Sequence, residues 1–247
     1  MRPRDLHSRL SRRAAKAGIF APAPLVDRLV AYYELLARWN RKINLTSLEN
    51  VDEAFDRLLV EPLVAAKHLP ASAQRLIDIG SGGGSPAIPL KLAAPQLRLT
   101  MVEVKARKSA FLREAIRQLE LLNTDVETTR YEELLVRPEL HEACDALSLR
   151  AVRTEARVLT SLQAFLRPGG VLMLFRGPSG PDTATVVPPL EWTGTYPLVE
   201  TLQSRLTVMT KRDVGSAAMF HVEHRKRQQA SVAGRQSTPR AVSGGEK

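Results

Sequence analysis

A single cysteine, Cys144, stands in 247 residues, which excludes an intrachain disulfide and a zinc site built from cysteines alone. No stretch approaches the roughly 18 apolar residues of a bilayer-spanning helix. Aromatic residues make up 5% of the chain, too few for base stacking on a platform to be the main design. No internal repeat occurs. No Ser-His-Asp constellation stands out, and His221 and His224 flanking Glu223 are better explained by a surface strand than by a metal. The arginine-rich stretch from Met1 to Phe20 lacks the apolar core of a secretory signal. A transit peptide would share that arginine bias, but the expectation is a cytoplasmic protein.

What is present is a globular balance, 44% hydrophobic and 25% charged residues, with a formal net charge of +10. The excess is at the ends. Arg2, Arg4, Arg9, Arg12, Arg13 and Lys16 face only Asp5 in the first twenty residues, and Arg225, Lys226, Arg227, Arg235, Arg240 and Lys247 face only Glu246 in the last stretch. Basic ends favour a polyanion, because each neutralised phosphate releases counterions. From Gln228 onward the chain is rich in Ser, Gly, Ala and Arg without apolar period, which predicts a disordered tail. The expected division is 1–20 as a basic extension, 21–72 as a helical region, 73–224 as the catalytic domain and 225–247 as the basic tail.

Leu25, Val26, Leu29, Val30, Tyr33, Leu36 and Trp39 recur at helical spacing, so 24–40 is predicted as an amphipathic helix. Residues 40–48 are turn-like, and a second helical stretch over 51–69 contains Pro62, which should kink or divide it. From Arg75 strands and helices alternate: strands 75–79, 97–104, 124–129, 145–149 and 170–176, with helical stretches near 88–93, 106–121, 131–135 and 152–166 between them. That alternation predicts an α/β fold, a mostly parallel sheet with helices on both faces, preceded by a small helical N-terminal region. Residues 185–224 carry further strands, with Thr207–Met209 and Met219–Glu223 as candidates.

The chemistry concentrates in Asp78-Ile79-Gly80-Ser81-Gly82-Gly83-Gly84-Ser85-Pro86. Glycines between a strand and a helix let the chain approach a ligand without a Cβ in the way, at the sheet edge where such folds bind ligands. Glu103, ending the next strand, is placed to accept both hydroxyls of a ribose. A dinucleotide fold wants G-x-G-x-x-G facing a pyrophosphate. Here Asp78 precedes the turn and Ser85-Pro86 closes it, and a carboxylate there suits a cationic ligand. The spelling favours S-adenosylmethionine, which carries an ammonium and a sulfonium and no phosphate, over NAD.

Further marks are Trp39-Asn40 followed by Asn44-Leu45-Thr46-Ser47, the run Pro86-Ala87-Ile88-Pro89-Leu90, Lys108 with Phe111-Leu112, Arg130-Tyr131-Glu132-Glu133 and Arg150-Ala151. On these the chain, over about Leu29 to Gly177, resembles the bacterial 16S ribosomal RNA small-subunit methyltransferase G family, also called glucose-inhibited division protein B. The resemblance implies a Rossmann-like class I fold and transfer of a methyl group from S-adenosylmethionine to N7 of a guanine in 16S ribosomal RNA. It implies cofactor contacts at Gly80, Ser85, Tyr131, Glu132 and Arg150, with Asp78 and Gly82 in the glycine turn and Glu103 at the ribose. Asn44, Arg150 and Arg176 are candidates for positioning the target, with no residue assigned to the chemistry itself.

The chain departs from the family where Arg57-Leu58-Leu59-Val60-Glu61-Pro62 replaces a common Arg-His-x-x-Asp-Ser, keeping an acid but losing the histidine and serine. Arg176-Gly177 stands where a Lys-Gly is common. The expected partner is 16S ribosomal RNA or the small subunit, bound by a monomer without a membrane. Two rivals remain at this point: methylation of another RNA or of a small molecule, and a non-catalytic RNA-binding or ribosome-assembly protein on the same fold.

Overall fold

The computed structural model describes residues 3–46, 50–151, 154–178 and 185–213. The expected strand at Met219–Glu223, the His221–His224 cluster and the basic tail lie outside the described residues.

Helix α1 (Pro3–Lys16) opens the chain and buries Leu6, Leu10 and Ala14. Helix α2 (Ala23–Asn40) starts with proline in its first turn, where the missing N–H has no helical partner anyway. It buries Val26, Leu29, Val30, Tyr33 and Leu36 at the expected spacing, and Tyr32 and Leu35 besides. Being wedged among α1 and two later helices, it is apolar on more than one side.

The second helical stretch is divided around Pro62, by changes of pitch rather than by a loop: α3 (Val51–Phe55), a π turn over Asp56–Val60, α4 (Glu61–Ala65) and a 3₁₀ turn over Ala66–His68. Pro62 has no N–H to offer the Leu58 carbonyl four residues back or the Arg57 carbonyl five back. The wider turn accommodates this, and both carbonyls find donors elsewhere.

The sheet follows as β1 (Arg75–Ile79), α5 (Ala87–Ala93), β2 (Arg98–Val102), α6 (Ala106–Gln118), β3 (Thr124–Glu127), α7 (Tyr131–Leu134), β4 (Cys144–Arg150), α8 (Ala156–Leu162), β5 (Leu166–Arg176), β6 (Leu190–Pro197) and β7 (Arg205–Lys211). Its order is β3-β2-β1-β4-β5-β7-β6. The first five strands are parallel, and β7 runs antiparallel between β5 and β6. Alternate residues feed two cores. Leu76, Ala146 and Met173 face the N-terminal helices, α5 and α6, while Ile77, Leu147 and Leu172 face α7 and α8. The first core runs without interruption from α1 into the sheet.

Boundaries differ from expectation where one side chain or turn decides them. Strand β2 stops at Val102 because the Glu103 carboxylate turns back to accept the Lys105 N–H at 2.8 Å, leaving Val104 exposed. Helix α6 stops at Gln118 because Glu120 takes a positive φ of 47° without a glycine to announce it. The helix expected over 152–166 is shorter, since Leu166 already pairs with Cys144 as the start of β5. Cys144 itself is buried, donates to the Phe165 carbonyl, and has its thiol pushed up to about 12 by desolvation.

Candidate active site

The strand order reverses between β1 and β4, which opens a crevice at their carboxyl ends. The glycine turn closes β1 there. Gly80, Gly82 and Gly84 all have positive φ. A Cβ on Gly84, whose φ is +87°, would sit 2.6 Å from Ile88 Cδ1, so any other residue here is strained in its backbone and crowds α5. Gly83 is pressed against α2, where a Cβ would lie 3.2 Å from Leu36. The buried Tyr32 hydroxyl donates to the Gly83 carbonyl at 2.6 Å, and burial holds that phenol protonated far above its ordinary range. The loop is thus tied down from outside the sheet.

A cleft of about 790 Å³ lies over this turn. Its walls include Gly80, Gly82, Ser85, Glu103, Arg150 and Arg176 from the expected set, together with Thr46, Arg57, Glu61, Lys108 and Phe175. Asp78 lies beneath it, buried in β1 and paired in register with Ser148 of β4. Ser148 Oγ donates to Asp78 Oδ1 at 2.5 Å. Burial nonetheless pushes the Asp78 carboxyl up to about 6, against the pull of that hydrogen bond and of Arg150. Glu103 accepts the Gly82 N–H at 2.9 Å on one oxygen and the Lys105 N–H on the other. Each oxygen keeps a second lone pair for a ribose hydroxyl.

Arg150 is the most constrained residue of the cleft. Its Nη1 donates to Glu61 Oε2 at 2.8 Å and to the Arg57 carbonyl at 2.7 Å, and its guanidinium lies 4.7 Å over the Phe175 ring. Burial lowers its pKa, opposed by Glu61 and Asp78. Ser85 Oγ donates to the Leu58 carbonyl at 2.9 Å. The two carbonyls that Pro62 leaves without a helical donor are therefore those that hold Arg150 and Ser85. The acid at position 61, whose role the sequence left in doubt, is a partner of Arg150.

Among the described residues, the buried side-chain polar atoms without a partner are Asp78 Oδ2, Arg150 Nε and Arg150 Nη2. Orphaned buried groups are costly; Arg150 stands in the cleft wall, and Asp78 lies on β1 two residues before the wall residue Gly80. An acceptor carboxylate beside guanidinium donors is the complement of an amino acid's ammonium and carboxylate.

The remaining expected residues are placed differently. Asn44 is exposed and is not part of the cleft wall, although its neighbours Leu45 and Thr46 are. Asn40 sets that loop, accepting the Leu45 and Thr46 N–H groups at 2.8 and 3.0 Å and donating to the Thr46 carbonyl. Tyr131 and Glu132 begin α7 beyond β3, outside the cleft wall, with Tyr131 half-buried and Glu132 exposed. Sequence reasoning missed Arg57 and Phe175 as cleft residues. Only their positions, at a helix turn before a proline and at the end of β5, signalled them.

A methionine end, a ribose and a cationic centre held without phosphate are together what this cleft fits, and the chain is an S-adenosylmethionine-dependent methyltransferase. The fold agrees with that of the solved "cofactor-bound Rv0187 from MTB", at a TM-score of 0.53 and 18% identity, over 76% of this chain and 90% of that one. Residues 26–186 match the family described as rRNA small subunit methyltransferase G, and the chain belongs to that family. Relatives named "Ribosomal RNA small subunit methyltransferase G" include one from Syntrophotalea carbinolica, 33% identical over 71% of this chain and 80% of the relative. Another, from Stenotrophomonas maltophilia, is 37% identical over 71% and 79%.

Proposed function

We propose that this chain methylates N7 of a guanine in 16S ribosomal RNA of the small ribosomal subunit. The observation that carries the reading is the family match over 26–186, which contains the complete glycine turn, Glu103 and Arg150.

The bound cofactor supplies an electrophilic methyl group on a sulfonium. Guanine N7 presents an in-plane lone pair, so no side chain has to remove a proton. The chain's task is then alignment, which can lower a barrier substantially without acid–base help. In this reading Asp78 takes the ammonium, Arg150 the carboxylate and Glu103 the ribose. Gly80, Gly82 and Ser85 shape the turn, and Tyr131 and Glu132 take the adenine end. Leu36, Leu45, Phe175 and Leu202 give the cleft wall its apolar surface. Arg57, Lys108 and Arg176 stand in its wall where RNA phosphates would approach. Guanine becomes cationic on N7 methylation, and Glu61 and Glu103 are the carboxylates in the cleft wall, beside four cations, that would offset that charge.

The division into 1–20, 21–72, 73–224 and 225–247 belongs to the same reading, supported by the charge distribution and by the strand–helix alternation that starts at Arg75. So does a cytoplasmic monomer. Among the described residues no helix is long and apolar enough to cross a membrane, and one chain's own residues complete the cleft wall.

The test is methyl transfer from labelled S-adenosylmethionine to naked 16S RNA and to intact small subunits from a strain lacking this protein, with the modified base mapped. Incorporation at one guanine N7 is the expected result. No incorporation into either substrate, with cofactor binding intact, would overturn the assignment.

A further inference from the structure

The basic N-terminal helix lies outside the matched stretch, and part of its charge is used within the molecule. Arg9 and Arg13, one helical turn apart on α1, meet Asp52 and Asp56, one turn apart on the second helical stretch. Arg9 Nε bonds Asp52 Oδ1. Arg13 grips Asp56 with two nitrogens, Nε at 2.6 Å from Oδ1 and Nη2 on Oδ2, while its Nη1 lies 3.4 Å from Asp52. The buried Asp56 also accepts from Thr201 Oγ1 at 2.9 Å, in the turn between β6 and β7. Such a two-pronged contact fixes orientation as well as charge.

Asp56 opens the π turn. The next residues provide the Arg57 carbonyl for Arg150, the Leu58 carbonyl for Ser85 and, one residue past the turn, the Glu61 carboxylate for Arg150. A π turn is rare, occurs mostly as a single-turn bulge inside an α-helix and is frequent at functional sites.

We propose that α1 is a brace for the methyl-donor cleft, with Arg13 and Asp56 as positioning residues that hold the π turn in the register at which Arg57, Leu58 and Glu61 fix Arg150 and Ser85. Neither residue touches the cofactor. They act through Arg150, whose two open donors receive the cofactor's carboxylate only while Glu61 and the Arg57 carbonyl hold the guanidinium in place. The inference rests on the cleft being the donor site and is independent of which RNA, or which base, is methylated.

The test is calorimetric titration of S-adenosylmethionine into the full chain without RNA, at 20 °C, beside a thermal melt and amide exchange over 56–61. Arg13→Met and Asp56→Asn are expected to raise Kd about five- to twenty-fold, the range of ordinary site-to-site coupling, and to speed exchange at 57–60. Arg13→Lys, which keeps the charge but not the fork, should fall between them and the native chain. Arg98→Gln, exposed at the amino end of β2 and so at the end of the sheet away from the cleft, should leave Kd unchanged.

A brace that merely adds stability would lower the melting temperature while Kd at 20 °C stays within two-fold, and that result overturns the proposal. Should Arg13→Met and Asp56→Asn fail to fold, Thr201→Val removes one neutral bond to Asp56 and answers the same question. A Kd raised about two- to four-fold supports the brace, and an unchanged Kd refutes it.

Discussion

Asp78 shows how much one buried side chain can set. Its carboxyl titrates near pH 6 because desolvation outweighs the Ser148 hydrogen bond. An ammonium needs the carboxylate, so S-adenosylmethionine affinity is expected to rise from pH 5 to 7 and then level off. Asp78→Asn should weaken binding about ten-fold and remove that slope, measured by titration at each pH. The sign for stability is opposite. The folded pKa exceeds the ordinary value of 3.8, so in the ligand-free chain this group's contribution is full below about pH 4 and is lost as pH rises through about 6. Melts of the native chain and Asp78→Asn across that window should converge toward low pH. Glu103→Ala should raise the cofactor Kd about ten-fold or more, since it removes the ribose acceptor and strands the Gly82 and Lys105 N–H groups; unchanged affinity would sink the ribose assignment. The positions of Asp78 and Glu103 were legible in the sequence because Asp78 stands just before the glycine cluster and Glu103 just past the next apolar strand. The partnership of Arg150 with Glu61 was not, because the two are 89 positions apart, and no local period encodes a contact between a strand end and a helix turn.

At the level of elements, the buried strands were read most reliably. Arg75–Ile79 reproduced its observed bounds because a strand buried on both faces is a short apolar run with turn residues at its ends. Helix ends and pitch were read poorly. Glu120 ends α6 in a left-handed conformation that a glycine would have advertised, and the stretch around Pro62 is divided by changes of pitch rather than by a loop. Here the proline's missing N–H frees two acceptors for the cleft. Pro62→Ala supplies a donor that competes for them, so cofactor Kd should rise about three-fold although alanine is the better helix former; titration with a parallel melt separates the two effects. Gly84→Ala should cost about 2–4 kcal/mol by denaturant unfolding, because it combines a positive φ with a Cβ driven into Ile88. The antiparallel β6, with five exposed positions among its eight, lacks that two-sided burial, which is why the sequence indicated strands beyond 185 without their order.

Over the whole molecule, the count of cations at the basic N-terminal stretch overstates what that stretch offers to RNA. Two of its six, Arg9 and Arg13, are committed to Asp52 and Asp56. Removing 225–247, which carries six cations and one anion, should therefore weaken binding to 16S RNA and flatten its salt dependence by at most about five phosphate contacts. Cofactor affinity should be untouched, and binding measured across a salt series checks both. The node at Asp56 also has a bearing on how the molecule is made. It joins position 56 to positions 43 residues earlier and 145 residues later. A chain emerging from its N-terminus presents α1 first, with nothing to lock against, and completes the entire glycine motif long before Thr201 is synthesised. Local contacts form early and distant ones late. The donor cleft therefore acquires its last support only when the β6–β7 turn arrives, and an unfinished chain carries the recognisable motif before it carries a fully supported site.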